Sequence, residues 1–129
     1  MHPSYFQILN CSEYDPEGSL RLPAEVSEWL FHANFWDIIN MELAANFGQY
    51  EDDTLPSAKV PTVLRELDKL DDSELHDTSC SHNVIYAWRP DGENLEFSVK
   101  GSDLKRNIDE LRSLLRRAIE RGSDVFCQL

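Results

Sequence analysis

The chain has 129 residues, 41% of them apolar and 28% charged, and its 24 acidic against 12 basic side chains give a formal net charge of −12. That length suits a single domain, 1–129, with an ordinary hydrophobic core. Five glycines and six prolines exclude collagen-like and low-complexity chains, and the longest apolar run, Val84-Ile85-Tyr86-Ala87-Trp88, falls far short of the roughly 20 residues that span a bilayer.

Residues 5–9 set Tyr5, Gln7 and Leu9 on one face and Phe6 and Ile8 on the other, which suits a buried strand. Residues 12–18 are polar and turn-rich, so they read as a loop. Residues 19–22 suit a short second strand, and Pro23 stands where a helix can begin without an N–H donor. A helix over 24–31 follows. Asn34 is placed as a second N-cap with Asp37 three residues on, in the manner of a capping box. From there Trp36, Ile39, Leu43 and Phe47 form an apolar stripe that Phe35, Ile38 and Ala45 widen, and Gly48 is the natural stop. One continuous helix over 23–47 is the alternative.

Residues 51–57 read as an acidic, proline-containing connection. Pro61 opens a helix with Val63, Leu64, Leu67 and Leu70 on one face, and residues 71–81 break that pattern as a polar loop. Val84–Trp88 reads as a strand and residues 89–93 as a turn, in which Pro90 fixes φ and Gly92 accepts a positive one. Leu95, Phe97 and Val99 then alternate with polar residues. Leu104, Ile108, Leu111, Leu115 and Ala118 form the seam of a long helix, widened by Leu114 and Ile119 and stopped by Gly122. Val125, Cys127 and Leu129 alternate as a last strand. The class is α+β: a small, mainly antiparallel sheet of N-terminal strand, central hairpin and C-terminal strand, packed against about four helices.

The short signatures of phosphate loops, dinucleotide folds, zinc proteases and serine hydrolases are absent, so no catalytic residue and no cofactor are assigned. His76, Cys80 and His82 lie close in sequence but lack a fourth strong ligand, and a polar loop accounts for them better than a zinc site. Cys80 with His82, or Cys127 with any histidine, makes a weak thiolate dyad, because Cys127 reads as core. Three unevenly spaced cysteines suit free thiols in a reducing compartment, and residues 1–4 lack the basic start of a signal peptide. The expectation is a cytoplasmic protein.

The acidity is uneven. Residues 1–88 carry 4 basic against 16 acidic side chains, whereas residues 89–129 carry 8 of each. Nucleic acid and anionic membranes are therefore poor partners, and a basic protein is a permitted one. Arg106, Arg112, Arg116, Arg117 and Arg121 read as a self-paired helix face, through neighbours such as Arg106–Glu110 and Arg116–Glu120. Trp29, Phe31, Phe35 and Trp36 read as core, although the apolar surplus over 23–47 also suits a two-fold homodimer. The candidate contacts for a basic partner are Glu51, Asp52, Asp53, Asp68, Asp71, Asp72 and Glu74, placed in or beside loops. A small, acidic, motif-poor α+β protein resembles the immunity proteins in composition, which implies a protein-binding module that neutralises a basic partner. A small enzyme or small-molecule binder, its site assembled from residues distant in sequence, is the other class of reading.

Overall fold

The computed structural model describes residues 1–11 and 14–129, with the side chain of Tyr86 also left out of the description. Ser12 and Glu13, the start of the expected loop 12–18, therefore lie outside the described residues. The elements run β1 (Ser4–Ile8), β2 (Ser19–Leu22), α1 (Ala24–His32), α2 (Phe35–Leu43), β3 (Asp52–Leu55), α3 (Val60–Glu74), β4 (Ser81–Trp88), β5 (Asn94–Lys100), α4 (Gly101–Arg121) and β6 (Val125–Gln128), with a 3₁₀ turn, Ser57–Lys59, before α3. The class is α+β, with four α-helices among the described residues, as the periodicities imply.

The strands divide differently from the expectation of one sheet. β1 and β6 lie side by side in an antiparallel sheet of order β2-β1-β6-β3, while β4 and β5 pair only with each other. The fourth strand of the main sheet comes from the acidic segment read as a connection. Asp-Asp-Thr-Leu has little strand propensity, but β6 pairs with it residue for residue, Asp52 to Gln128 through Leu55 to Val125, and Leu55 is sealed in the core. Tertiary pairing overrides local preference here.

Alternation divides the main sheet into a dry and a wet face. Phe6, Ile8, Leu22, Val125 and Cys127 are buried, whereas Tyr5, Arg21 and Gln128 are exposed and Gln7 and Phe126 half-buried. Trp36 is the hub beneath the dry face: its ring lies 6.3 Å from Phe6 and from Phe31, 5.0 Å from Phe35 and 5.5 Å from Phe47. Trp29, Phe35 and Trp36 are core and Phe31 packs against it, so most of the apolar surplus that suggested a homodimer is internal. Ile38 and Met41 are the large apolar side chains of α2 left exposed.

The break between α1 and α2 falls at Asn34, which adopts a left-handed φ of 61° and makes no side-chain cap bond. An asparagine tolerates that backbone, and the turn itself separates the two helices. The second helix stops earlier than Gly48, at Ala44. The Asn40 side chain then grips Phe47 by both backbone groups, donating to its carbonyl at 2.9 Å and accepting its N–H at 2.7 Å. Lys59 Nζ donates to the Leu43 carbonyl at 3.3 Å, a cation where the helix dipole favours one.

The α3 helix extends through Glu74, into the stretch expected to be loop, and Leu75 is buried just beyond it. Within it Glu66, almost fully buried, accepts a hydrogen bond from Lys69 at 2.9 Å. That bond holds the Glu66 carboxyl below its ordinary 4.5, against the effect of burial. The seam of α4 is buried throughout, together with Leu114, whereas Ile119 is 39% exposed and sits off the stripe. Gly101 opens α4 with its N–H bonded to the Cys80 carbonyl at 2.8 Å, and a Cβ there would stand 2.5 Å from the same oxygen. Only glycine fits that approach.

Leu111, 1% exposed at the centre of the seam, should cost about 2–5 kcal/mol when replaced by alanine. Denaturant unfolding measures this, and a near-neutral result would place the buried face elsewhere. Glu66 predicts an acid effect of definite sign. A lowered carboxyl stabilises the fold above its unfolded value and loses that contribution as pH falls below about 4.5 through the folded value. Glu66→Gln should therefore flatten part of the acid limb of a stability–pH curve, and an unchanged limb would contradict the assignment.

Candidate functional site

The acidic residues singled out in the sequence fall into two groups with different roles. Asp68 and Asp71 belong to α3 rather than to a loop and are bound into the contact with α4. Arg112 lies at the centre of that contact, with Nη2 2.6 Å from Asp68, and with Nη1 3.0 Å from Asp109 and 3.4 Å from Asp71. Lys105 bridges Asp71 at 2.6 Å and Asp109 at 3.0 Å. The hydrogen bond to Asp71 is the largest influence raising the Lys105 ammonium above its usual value, and it outweighs burial. Asp72 and Glu74 point to solvent on the same helix.

The arginine face of α4 is paired, though not as the spacing suggested. Arg106 meets Asp103 at 3.4 Å and Arg116 lies 4.0 Å from Asp68. Arg117 donates to the Glu17 carbonyl at 2.8 Å, and Arg121 lies 3.9 Å from Asp15. These partners come from one turn back or from other elements, which sequence neighbours at i,i+4 do not reveal.

Glu51, Asp52 and Asp53 form the second group, exposed on and beside β3 at the edge of the main sheet. Among the described residues none of the three takes part in an ion pair. Asp53 accepts the Thr54 N–H at 2.7 Å, so its carboxylate covers a donor of the edge strand. Charge and a covered N–H both discourage pairing with another strand of the same kind.

Pairing carries this edge directly into the wet face. Arg21, Tyr5, Gln128 and Asp52 make one row across the four strands, and Ser19, Gln7, Phe126 and Thr54 make the next. A shallow groove of about 610 Å³ follows Tyr5, Gln7, Arg21, Phe126 and Gln128, with Tyr14 at its side. Tyr5 and Tyr14 are 44% and 87% exposed. Tyrosine, phenylalanine and arginine are side chains enriched at the centres of protein interfaces. At the β3 corner Tyr50, 59% exposed, keeps a φ of +66°, a conformation costing an aromatic residue about 1–2 kcal/mol. The alternation of β1 announced half of this face; the partner strand β3, and with it the row that joins Tyr5 to Asp52, carried no local signal.

The cysteine and histidine candidates come apart. Cys80 is exposed and its thiol donates to Asp77 at 3.4 Å, while His82 stands edge-on to Trp29 at 5.6 Å with Nε2 buried and unpartnered. Burial, with Asp53 adding to it, pushes the Cys127 thiol up to about 12, so it is protonated and inert at neutral pH. Among the described residues no three His, Cys, Asp or Glu side chains are grouped to hold a metal ion. A recess between β2 and α4 is lined by both signs of charge, and its Lys105, Asp109 and Arg117 already have partners within the chain. No described helix is long and apolar enough to cross a membrane.

Comparison with protein-family models, with curated proteins and with solved structures finds no match to the chain.

The two groups of acids respond differently to charge reversal. Asp71→Lys sets a cation beside Lys105 and Arg112 and should cost about 1–3 kcal/mol of stability. Asp72→Lys, on the exposed side of the same helix, should change it by less than about 0.5 kcal/mol. Equal effects in chemical denaturation would contradict the interhelix role of Asp71.

Proposed function

We propose that the chain is a protein-binding module, of inhibitor or immunity type, that docks a basic protein on the wet face of its main sheet. The observation that supports this is the contrast between its acids. Asp68 and Asp71 of α3 are paired within the fold, whereas Glu51, Asp52 and Asp53 are exposed at the β3 edge, where Asp52 continues the wet-face row of Tyr5 and Gln128. Tyr5 and Phe126 would supply the buried centre of the contact, Gln7 and Gln128 its hydrogen bonds, and the β3 edge the long-range attraction. Carboxylates at the rim keep their water and spare the complex an unpaired buried charge. A cytoplasmic setting accords with three unpaired cysteines.

The test uses a partner captured from the native host. Its association should slow steeply as salt rises, and Asp52→Lys with Asp53→Lys should slow it by about tenfold at low salt. Tyr5→Ala with Phe126→Ala should leave association nearly unchanged and speed dissociation. Stopped-flow and surface-binding kinetics resolve the two rates. A partner indifferent to salt and to both double variants would overturn the reading.

A further inference from the structure

We propose that the recess at the β3 corner of the wet face is a cage for one lysine ammonium of the basic partner, walled by the rings of Tyr50 and His2 and closed by the Asp52 carboxylate. The cage rests on the docking surface proposed above and names the group that the surface grips.

The recess holds about 320 Å³ and is lined by His2, Pro3, Tyr5, Tyr50, Asp52, Gln128 and Leu129. The rings of His2 and Tyr50 stand with centroids 5.0 Å apart and planes at 80°. Two rings at a right angle make a corner, and a compact cation seated in it meets the negative face of an aromatic ring. Sheet register places Asp52 beside Gln128 and Gln128 beside Tyr5, so a carboxylate and an amide oxygen stand next to that corner. No lysine or arginine lines it. Burial raises the Tyr50 phenol above its ordinary value, and the negative charge of Glu28 raises it further.

The lining selects among cations. Asp52 is the one carboxylate side chain among the lining residues, too little for a metal ion. A lysine fits because its methylene stem can lie along the exposed Tyr5 ring while the ammonium reaches Asp52. The left-handed backbone at Tyr50 also acquires a reason, since it holds an exposed aromatic ring at this corner at the expense of local strain.

The full chain, labelled with ¹⁵N, can be titrated with tetramethylammonium chloride and with N-acetyl-lysine methylamide, with sodium chloride as the control. Both ammonium probes should give saturable shifts confined to the amides of His2, Tyr5, Tyr50, Asp52 and Gln128. Tyr50→Phe should keep this binding. Tyr50→Gly and Asp52→Asn should each weaken it about two- to fivefold. Tyr50→Gly should melt no lower than the parent chain, because glycine relieves the left-handed backbone, so its loss of binding cannot be a loss of fold. Absence of saturable shifts, or shifts indifferent to both variants, would overturn the cage. Binding of tetramethylammonium without the lysine probe would overturn the assignment to lysine. A partner that docks on the sheet while neither probe binds overturns the cage alone. Ammonium binding with a partner that docks elsewhere overturns the surface alone.

Discussion

The alternation of β1 and β6, one residue in and one residue out, is the constraint on which the rest of the molecule depends. Phe6, Ile8, Val125 and Cys127 commit one side of the sheet to the core, and a slip of one residue would exchange that side for Tyr5, Gln7, Phe126 and Gln128. The aromatic cluster around Trp36 needs the dry side to close over it. The recess at Tyr50 needs the wet side to remain accessible. Register thus fixes stability and the candidate surface together.

Charge is distributed in the same divided way. Between α3 and α4 it is mutual: Arg112 and Lys105 satisfy Asp68, Asp71 and Asp109, and the helices meet through that network as well as through the leucine seam. At β3 the acids have a different setting, since the strand lies at the sheet edge and pairs only with β6. A row of carboxylates there opposes edge-to-edge association of identical chains through repulsion. The same row attracts a cationic surface from a distance. Under the proposed function, repulsion of like chains and attraction of the partner are served by one feature.

Much of the fold was legible because its signals are local. The α4 seam, its end at Gly122, the turn through Gly92, and strands β1, β2 and β6 all follow from spacing and turn chemistry. The misread parts depend on contacts remote in sequence. β3 is a strand because β6 pairs with it, and α3 continues past Leu70 with Asp71 held against α4. The second helix ends at Ala44 rather than Gly48, and the Asn40 side chain takes over the backbone groups of Phe47. Glu51, Asp52 and Asp53 were visible as an acidic run, but the place of Asp52 beside Gln128 and Tyr5 is a property of the sheet. Asp68 and Asp71 looked the same in sequence and turned out to be internal partners, because their arginine and lysine lie 34 to 44 residues away.

The central claim, that the wet face of the sheet is the working surface, can be tested most directly by hydroxyl-radical footprinting of the free chain and of its complex with a captured basic partner. In the free chain Tyr5, Tyr50 and Phe126 should react, and in the complex all three should be protected while Met41 and Trp88, exposed elsewhere, keep their reactivity. Protection along α3 and α4 with Tyr5 and Phe126 unchanged would contradict the account.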